Sequence, residues 1–307
     1  MTEPNAQPWG WDTLLGLTPP PRDPLADAVR TVLTVTRQER LDLPGNEPQA
    51  SVRRWHGTLK VTAREARRFL VPRFAAHQHT PILQHGETPQ EVRLTAMPGV
   101  AQPAQSRLWL AVLLFLLTVA STIYVGGGKV TGFDLTDGLL FSATLLAILL
   151  AHELGHFLAS RHFGVAVSYP FFIPMPFSVF GTLGAVIQMK EPPPDRGTLF
   201  TIGVAGPLAG LALAIPLTAI GLMLSTVTPI PTDGGYFLEG NNLLYGTQKW
   251  LIFGRWLPSG GEDVFLHPVA FAGWTGLLVT ALNLLPAGQL DGGHVVFGLL
   301  GRTRGRW

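Results

Sequence analysis

From Leu108 to Val125 the chain runs 18 residues without a charged side chain, and nothing else in the sequence restricts the fold as strongly. Inside a bilayer every backbone polar group must be paired within the protein, and a helix of roughly 20 apolar residues achieves this while crossing. Three further apolar stretches follow, at Gly138 to about Phe163, Gly197 to Leu224 and Val264 to Leu285. Charged residues make up 14% of the chain, against about 25% for a soluble domain. The expected fold class is mainly α, a polytopic transmembrane helical bundle of at least four spans.

The front of the chain is different, since residues 1–107 hold 13 of the 22 Lys and Arg. Residues 1–25 carry Pro4, Pro8, Pro19, Pro20, Pro21 and Pro24 and read as a disordered tail. Residues 26–100 suit a small α+β soluble module. Val29–Val35 and Ser51–Val61 alternate like strands, and Thr62 and Glu65 form a capping box that opens a helix toward Phe74. Ile82-Leu83 and Val92–Leu94 read as short strands. A core of this size points to a regulatory or structural role. His56, His77, His79 and His85 lack ligand spacing with carboxylates and read as surface histidines. Gly99–Ser106 is a linker, and residues 105–307 form the membrane core.

Several classes are excluded. The absence of cysteine removes disulfides, thiolate metal sites and cysteine nucleophiles. A pI near 9.1 is not matched by a basic-aromatic cluster, so no nucleic-acid partner is expected. Met1–Gly16 lack the basic start and apolar core of a secretory signal, which leaves the first span as the targeting signal. Arg107, Arg161, Lys190, Arg196 and the arginines at 302, 304 and 306 flank one side of the spans, whereas Lys129, Lys249 and Arg255 flank the other. The positive-inside tendency then puts the N-terminus, the 164–196 loop and the C-terminus in the cytoplasm of a cell-membrane protein.

The second span contains His152-Glu153-Leu154-Gly155-His156. Histidines four residues apart on a helix share a face and can hold one zinc, while Glu153 reaches a metal-bound water. Three ionisable groups within five residues of an apolar helix are costly unless they carry a function. Catalytic zinc takes three protein ligands and an open position.

Two residues compete for the third place. His162 falls where a metzincin-type motif would put it, but Ala159 stands where that motif needs a glycine to end the helix. Ten residues beyond His152, His162 would lie about 15 Å along the axis and off the ligand face. Asp291 follows the fourth span, and if that span runs inward it arrives at the depth of His152 and His156. Pro286 and Gly288 would break the helix before it. The competing reading of Asp291 is a helix N-cap for Gly292–Leu300. His294 is a further ligand or a plain helix histidine.

These residues resemble a known family. HELGH at 152–156, the NxxPxxxLDG pattern at 283–292 and Gly203–Pro207 are similar to the signatures of the site-2 proteases, intramembrane zinc metalloproteases. The similarity covers about residues 105–300. The N-terminal module, with no loop able to hold a PDZ domain of about 90 residues, resembles the branch that includes the plastid ethylene-dependent gravitropism-deficient proteins. Such a family commonly continues with further helices, whereas this chain stops at Trp307, so the resemblance implies a core truncated at its C-terminal end.

The resemblance implies peptide hydrolysis within or near transmembrane segments of membrane-protein substrates. This class includes membrane-tethered transcription regulators and anti-sigma factors. It assigns Zn2+ to His152, His156 and Asp291, catalysis to Glu153, and binding of the substrate backbone or oxyanion to Asn283, for which helix capping is the alternative. The Pro- and Gly-rich stretch Tyr169–Gln188 is similar to the family's membrane-embedded β or re-entrant segment, with Ala185–Ile187 able to pair with substrate. Tyr236–Leu257 reads as an interfacial amphipathic segment. Two other functions fit the sequence less well. One is an inactive membrane scaffold or chaperone of the same fold, which the intact HELGH disfavours. The other is a metal transporter, which would need an inverted repeat or paired broken helices.

Overall fold

The computed structural model describes residues 23–42, 51–86, 88, 91–99, 107–129, 132–190, 193–231 and 238–301. The proline-rich stretch 1–22, most of the linker, Tyr236 and the C-terminal arginines lie outside them. The chain divides into two units, Met1–Gln102 and Pro103–Trp307.

In the first unit, α1 (Pro24–Val32) leads into β1 (Leu33–Asp42) and β2 (Ser51–Leu59), and α2 (Ala63–Ala75) into β3 (His79–His85) and β4 (Val92–Pro98). The strands form one antiparallel sheet in the order β1-β2-β4-β3. Val29, Trp55, Leu70, Phe74 and Leu94 are buried together as its core. The alternating stretch Val29–Val35 is divided between α1 and β1. Asp23 accepts hydrogen bonds from the amides of Leu25 and Ala26, and this cap with Pro24 behind it sets a helix start that the alternation hides. The capping box forms as expected: Thr62 accepts from the Glu65 amide, and Glu65 accepts from the Thr62 amide. His56 is not a surface residue. It is 9% exposed, with Nδ1 3.2 Å from Glu91 Oε1.

Among the described residues of the second unit, three helices are long and apolar enough to cross a membrane: α3 (Leu108–Gly127), α4 (Leu135–His162) and α5 (Arg196–Met223). A short bridge of β5 (Gly128–Lys129) and β6 (Gly132–Phe133) joins α3 to α4. Asp134 caps α4 and pairs with Lys129 at 2.8 Å, and the lysine's hydrogen bond holds its carboxyl below the usual carboxylate range. Between α4 and α5 lies an antiparallel hairpin of β7 (Phe171–Pro174) and β8 (Thr182–Val186). Ser121 on α3 donates to the Gly181 carbonyl at 2.6 Å and ties this hairpin to the bundle.

Beyond α5 come β9 (Thr226–Pro229), α6 (Leu243–Phe253), β10 (Glu262–Phe265), α7 (Pro268–Asn283) and α8 (Asp291–Leu300). The expected fourth span is shorter than its apolar run. Val264 pairs with Val227 in the β9–β10 hairpin, and His267 with Pro268 starts α7 only after it. The helix α5 is central and packs on α4, α7 and α8.

Lys249, expected as an outer flanking charge, is 1% exposed. Its Nζ lies 3.3 Å from both Glu239 Oε1 and Asp263 Oδ1. Tyr245 donates to Glu239 at 2.8 Å, and burial, then the Glu239 charge, push its phenol above the usual range. Helix α6 therefore buries its lysine and turns Leu243, Trp250 and Leu251 outward. A buried cation with two acceptors is tolerated where an exposed one would serve topology.

Candidate metal centre

Helix α4 carries His152, Glu153 and His156, all buried. The break after α7 returns the chain so that Asp291 becomes the first residue of α8, against the same turn of α4. The cap position of α8 belongs to Leu290, which makes no side-chain cap bond, and Asp291 turns its carboxylate to the histidines instead. Asp291 Oδ2 lies 3.0 Å from His152 Nε2 and 3.2 Å from His156 Nε2, and the two Nε2 atoms are 3.2 Å apart.

Which ring nitrogens carry protons follows from chemistry. The Ile202 carbonyl, 2.8 Å from His156 Nδ1, can only accept, so Nδ1 is the protonated nitrogen and Nε2 of the neutral ring presents a lone pair. A carboxylate likewise has no proton to give. In the neutral form that binds a metal, His152 Nε2, His156 Nε2 and Asp291 Oδ2 can aim lone pairs at one common point, an arrangement that a cation stabilises. Four-coordinate zinc with bonds near 2.0–2.1 Å separates its ligands by about 3.3 Å, close to the spacing here. The donor set of two imidazoles and one carboxylate fits that ion, and the Ile202 carbonyl orients one ligand from behind.

Close approach of α4 and α5 is set by glycine. A Cβ at Gly206 would overlap His156 Nε2, and one at Gly210 would stand 3.2 Å from His152 Cβ. Only a residue without a side chain leaves the His156 ring where it is.

Glu153 is 5% exposed and has no hydrogen bond or ion pair among the described residues. It lines a cleft of about 140 Å³ together with the three donors. One wall is the β8 side of the hairpin, Ala185–Ile187, and Asn283 at the end of α7 is on another. The β8 edge facing away from β7 has no strand partner among the described residues. His162, at the end of α4, is exposed, packs edge-on against Phe163 and is not part of the cleft. His294 lines the cleft but does not join the three-donor group. Sequence reasoning missed Ser160, Gln289 and the Ile202 carbonyl in this site. Of these only Ser160, four residues after His156, carried a periodic signal.

The sequence profile of Peptidase family M50 matches residues 140–307. The Arabidopsis thaliana protein named "Probable zinc metalloprotease EGY1, chloroplastic" is 35% identical over 236 residues, covering 66% of this chain and 42% of that protein. "Probable zinc metalloprotease EGY2, chloroplastic" from the same plant is 34% identical over 197 residues, covering 62% and 34%. The chain therefore spans about a third to two fifths of the length of these curated relatives. Among solved structures, the site-2 protease from Methanocaldococcus jannaschii aligns at 18% identity with a TM-score of 0.34, covering 62% of this chain and 65% of that one.

Proposed function

Since the chain belongs to Peptidase family M50, the site-2 protease family, we propose that it is a zinc metalloprotease that hydrolyses peptide bonds of membrane-protein substrates within the bilayer. The observation that carries this reading is the convergence of His152, His156 and Asp291 beside a buried, partnerless Glu153. In this reading those three residues hold Zn2+. Bound zinc supplies an acidified water and a Lewis acid.

The rest of the chemistry belongs to the chain. Glu153 accepts the proton of the attacking water at its carboxylate and delivers it to the leaving nitrogen. A carboxylate without a standing partner is available for both transfers. Asn283 donates from its side-chain amide to the substrate backbone or the developing oxyanion. The Ala185–Ile187 edge takes the substrate as an added strand, which requires the scissile segment to unwind first. Irregular backbone at this depth is sustained because the β7–β8 hairpin is bonded to α3.

We take α7 as a fourth membrane helix, short because the β9–β10 hairpin takes up the start of its apolar run, and residues 23–99 as a separate soluble module with a regulatory or structural role. The positive flanks Arg107, Arg161, Lys190 and Arg196 support a cytoplasmic-side active-site end. Membrane-tethered regulators with a single span are the substrate class this site suits. The test is cleavage of a single-span substrate by the purified protein in lipid nanodiscs. Activity should disappear on chelation and return with zinc, and chelator-insensitive cleavage would refute the reading.

A further inference from the structure

Ser160 lies one helical turn beyond His156 on α4 and is 1% exposed, yet its hydroxyl has no hydrogen-bond partner among the described residues. This is unusual for a helix hydroxyl in this protein. Thr118, Thr122, Thr218, Thr275 and Thr280 each donate to the carbonyl four residues back, which satisfies the group within its own helix. Ser160 does not use the His156 carbonyl in this way. It lines the catalytic cleft instead, together with Val186 and Ile187. A buried hydroxyl left unpaired costs free energy, so its partner is expected to be something that the cleft receives.

The spacing says what that partner is. In an extended chain, carbonyls two residues apart point the same way and are about 6.6–6.8 Å apart. Four residues of α-helix advance about 6 Å. If the scissile carbonyl faces the His152–His156–Asp291 group, the carbonyl two residues away faces Ser160. Resting on the protease reading above, we propose that Ser160 donates a hydrogen bond to the substrate backbone carbonyl two residues from the scissile bond, and so fixes the register of the bound strand. Ser160 is a substrate-positioning residue whose hydroxyl is satisfied only in the complex.

The test uses the whole chain in nanodiscs, loaded with zinc, and a fluorescent single-span peptide. Binding is read by anisotropy on a Glu153→Gln background, so the result does not depend on turnover. Ser160→Ala should weaken binding about five- to ten-fold, and Ser160→Thr should restore most of it. Zinc content and melting temperature should be unchanged or raised, because the alanine removes an unpaired polar group from the free protein. A thioamide moved one position at a time along the peptide should weaken binding to the serine protein at one carbonyl, two residues from the bond that the wild type cuts. At that position it should leave binding to the alanine variant unaltered. Equal affinity of Ser160→Ala and its parent would overturn the proposal, as would a drop in melting temperature with it, which marks a packing role. Failure of the wild type to cleave the peptide, with the binding difference intact, would refute the protease reading and leave Ser160 as a peptide-binding group.

Discussion

Gly206 lies against the Nε2 side of the His156 imidazole, with no space between them for even a methyl group. The placement of the His156 ring on α4 thus depends on the absence of a side chain on α5. Gly206→Ala should push the His156 ring off its line and lower zinc affinity about 10- to 100-fold, as loss of a supporting contact behind a ligand does. Gly210→Ala, whose Cβ would meet His152 at 3.2 Å, should have a smaller effect in the same direction. Zinc titration of both variants against a competing chelator checks the order.

The third donor is decided by metal content. Asp291→Asn keeps the shape but removes the charge that balances the ion, so the purified variant should lose zinc. His162→Ala should retain it, since His162 is exposed at the far end of α4. The reverse pattern, measured by elemental analysis, would move the ligand assignment to His162.

Lys249 joins Glu239 to Asp263 in the segment after α5. Lys249→Met would leave the carboxylates of Glu239 and Asp263 buried against each other, and should destabilise the fold by about 3–5 kcal/mol. Changing all three together, with Glu239→Gln and Asp263→Asn, should recover most of the loss. Thermal unfolding of the two variants tests this, and equal losses would show that the cluster acts through packing alone.

Orientation can be read directly because the chain has no cysteine to mask. Single cysteines at the exposed positions Thr247 and His162 should react with a membrane-impermeant maleimide from opposite sides of the bilayer, with His162→Cys labelled from the cytoplasmic side. Labelling of both from one side would refute the topology.

The legible parts of this protein are those written in local spacing. The i, i+4 histidines, the charge-free runs and the Thr62–Glu65 box each depend on neighbours within one or two turns. Asp291 is found from its depth, because the fourth apolar run has to return it to the level of His152. What is not legible depends on distant partners. Lys249 reads as a flanking charge because Glu239 and Asp263 reach it across a loop and a hairpin, with no periodicity that links them. His56 reads as exposed for the same reason, its partner Glu91 lying on the far side of α2 and β3 in sequence. Gly206 is visible only as part of the Gly203–Pro207 stretch, and that it receives the His156 ring follows only from the pairing of α4 with α5.

Every catalytic role proposed for this site depends on Glu153 carrying the proton while other residues hold the metal. The most direct test is to purify the wild type and Glu153→Gln in parallel, and to measure both zinc content and cleavage of one single-span substrate. Equal zinc is expected in the two proteins, with the rate in the variant lowered by at least about 100-fold. Undiminished cleavage by the zinc-loaded variant would contradict that division of labour.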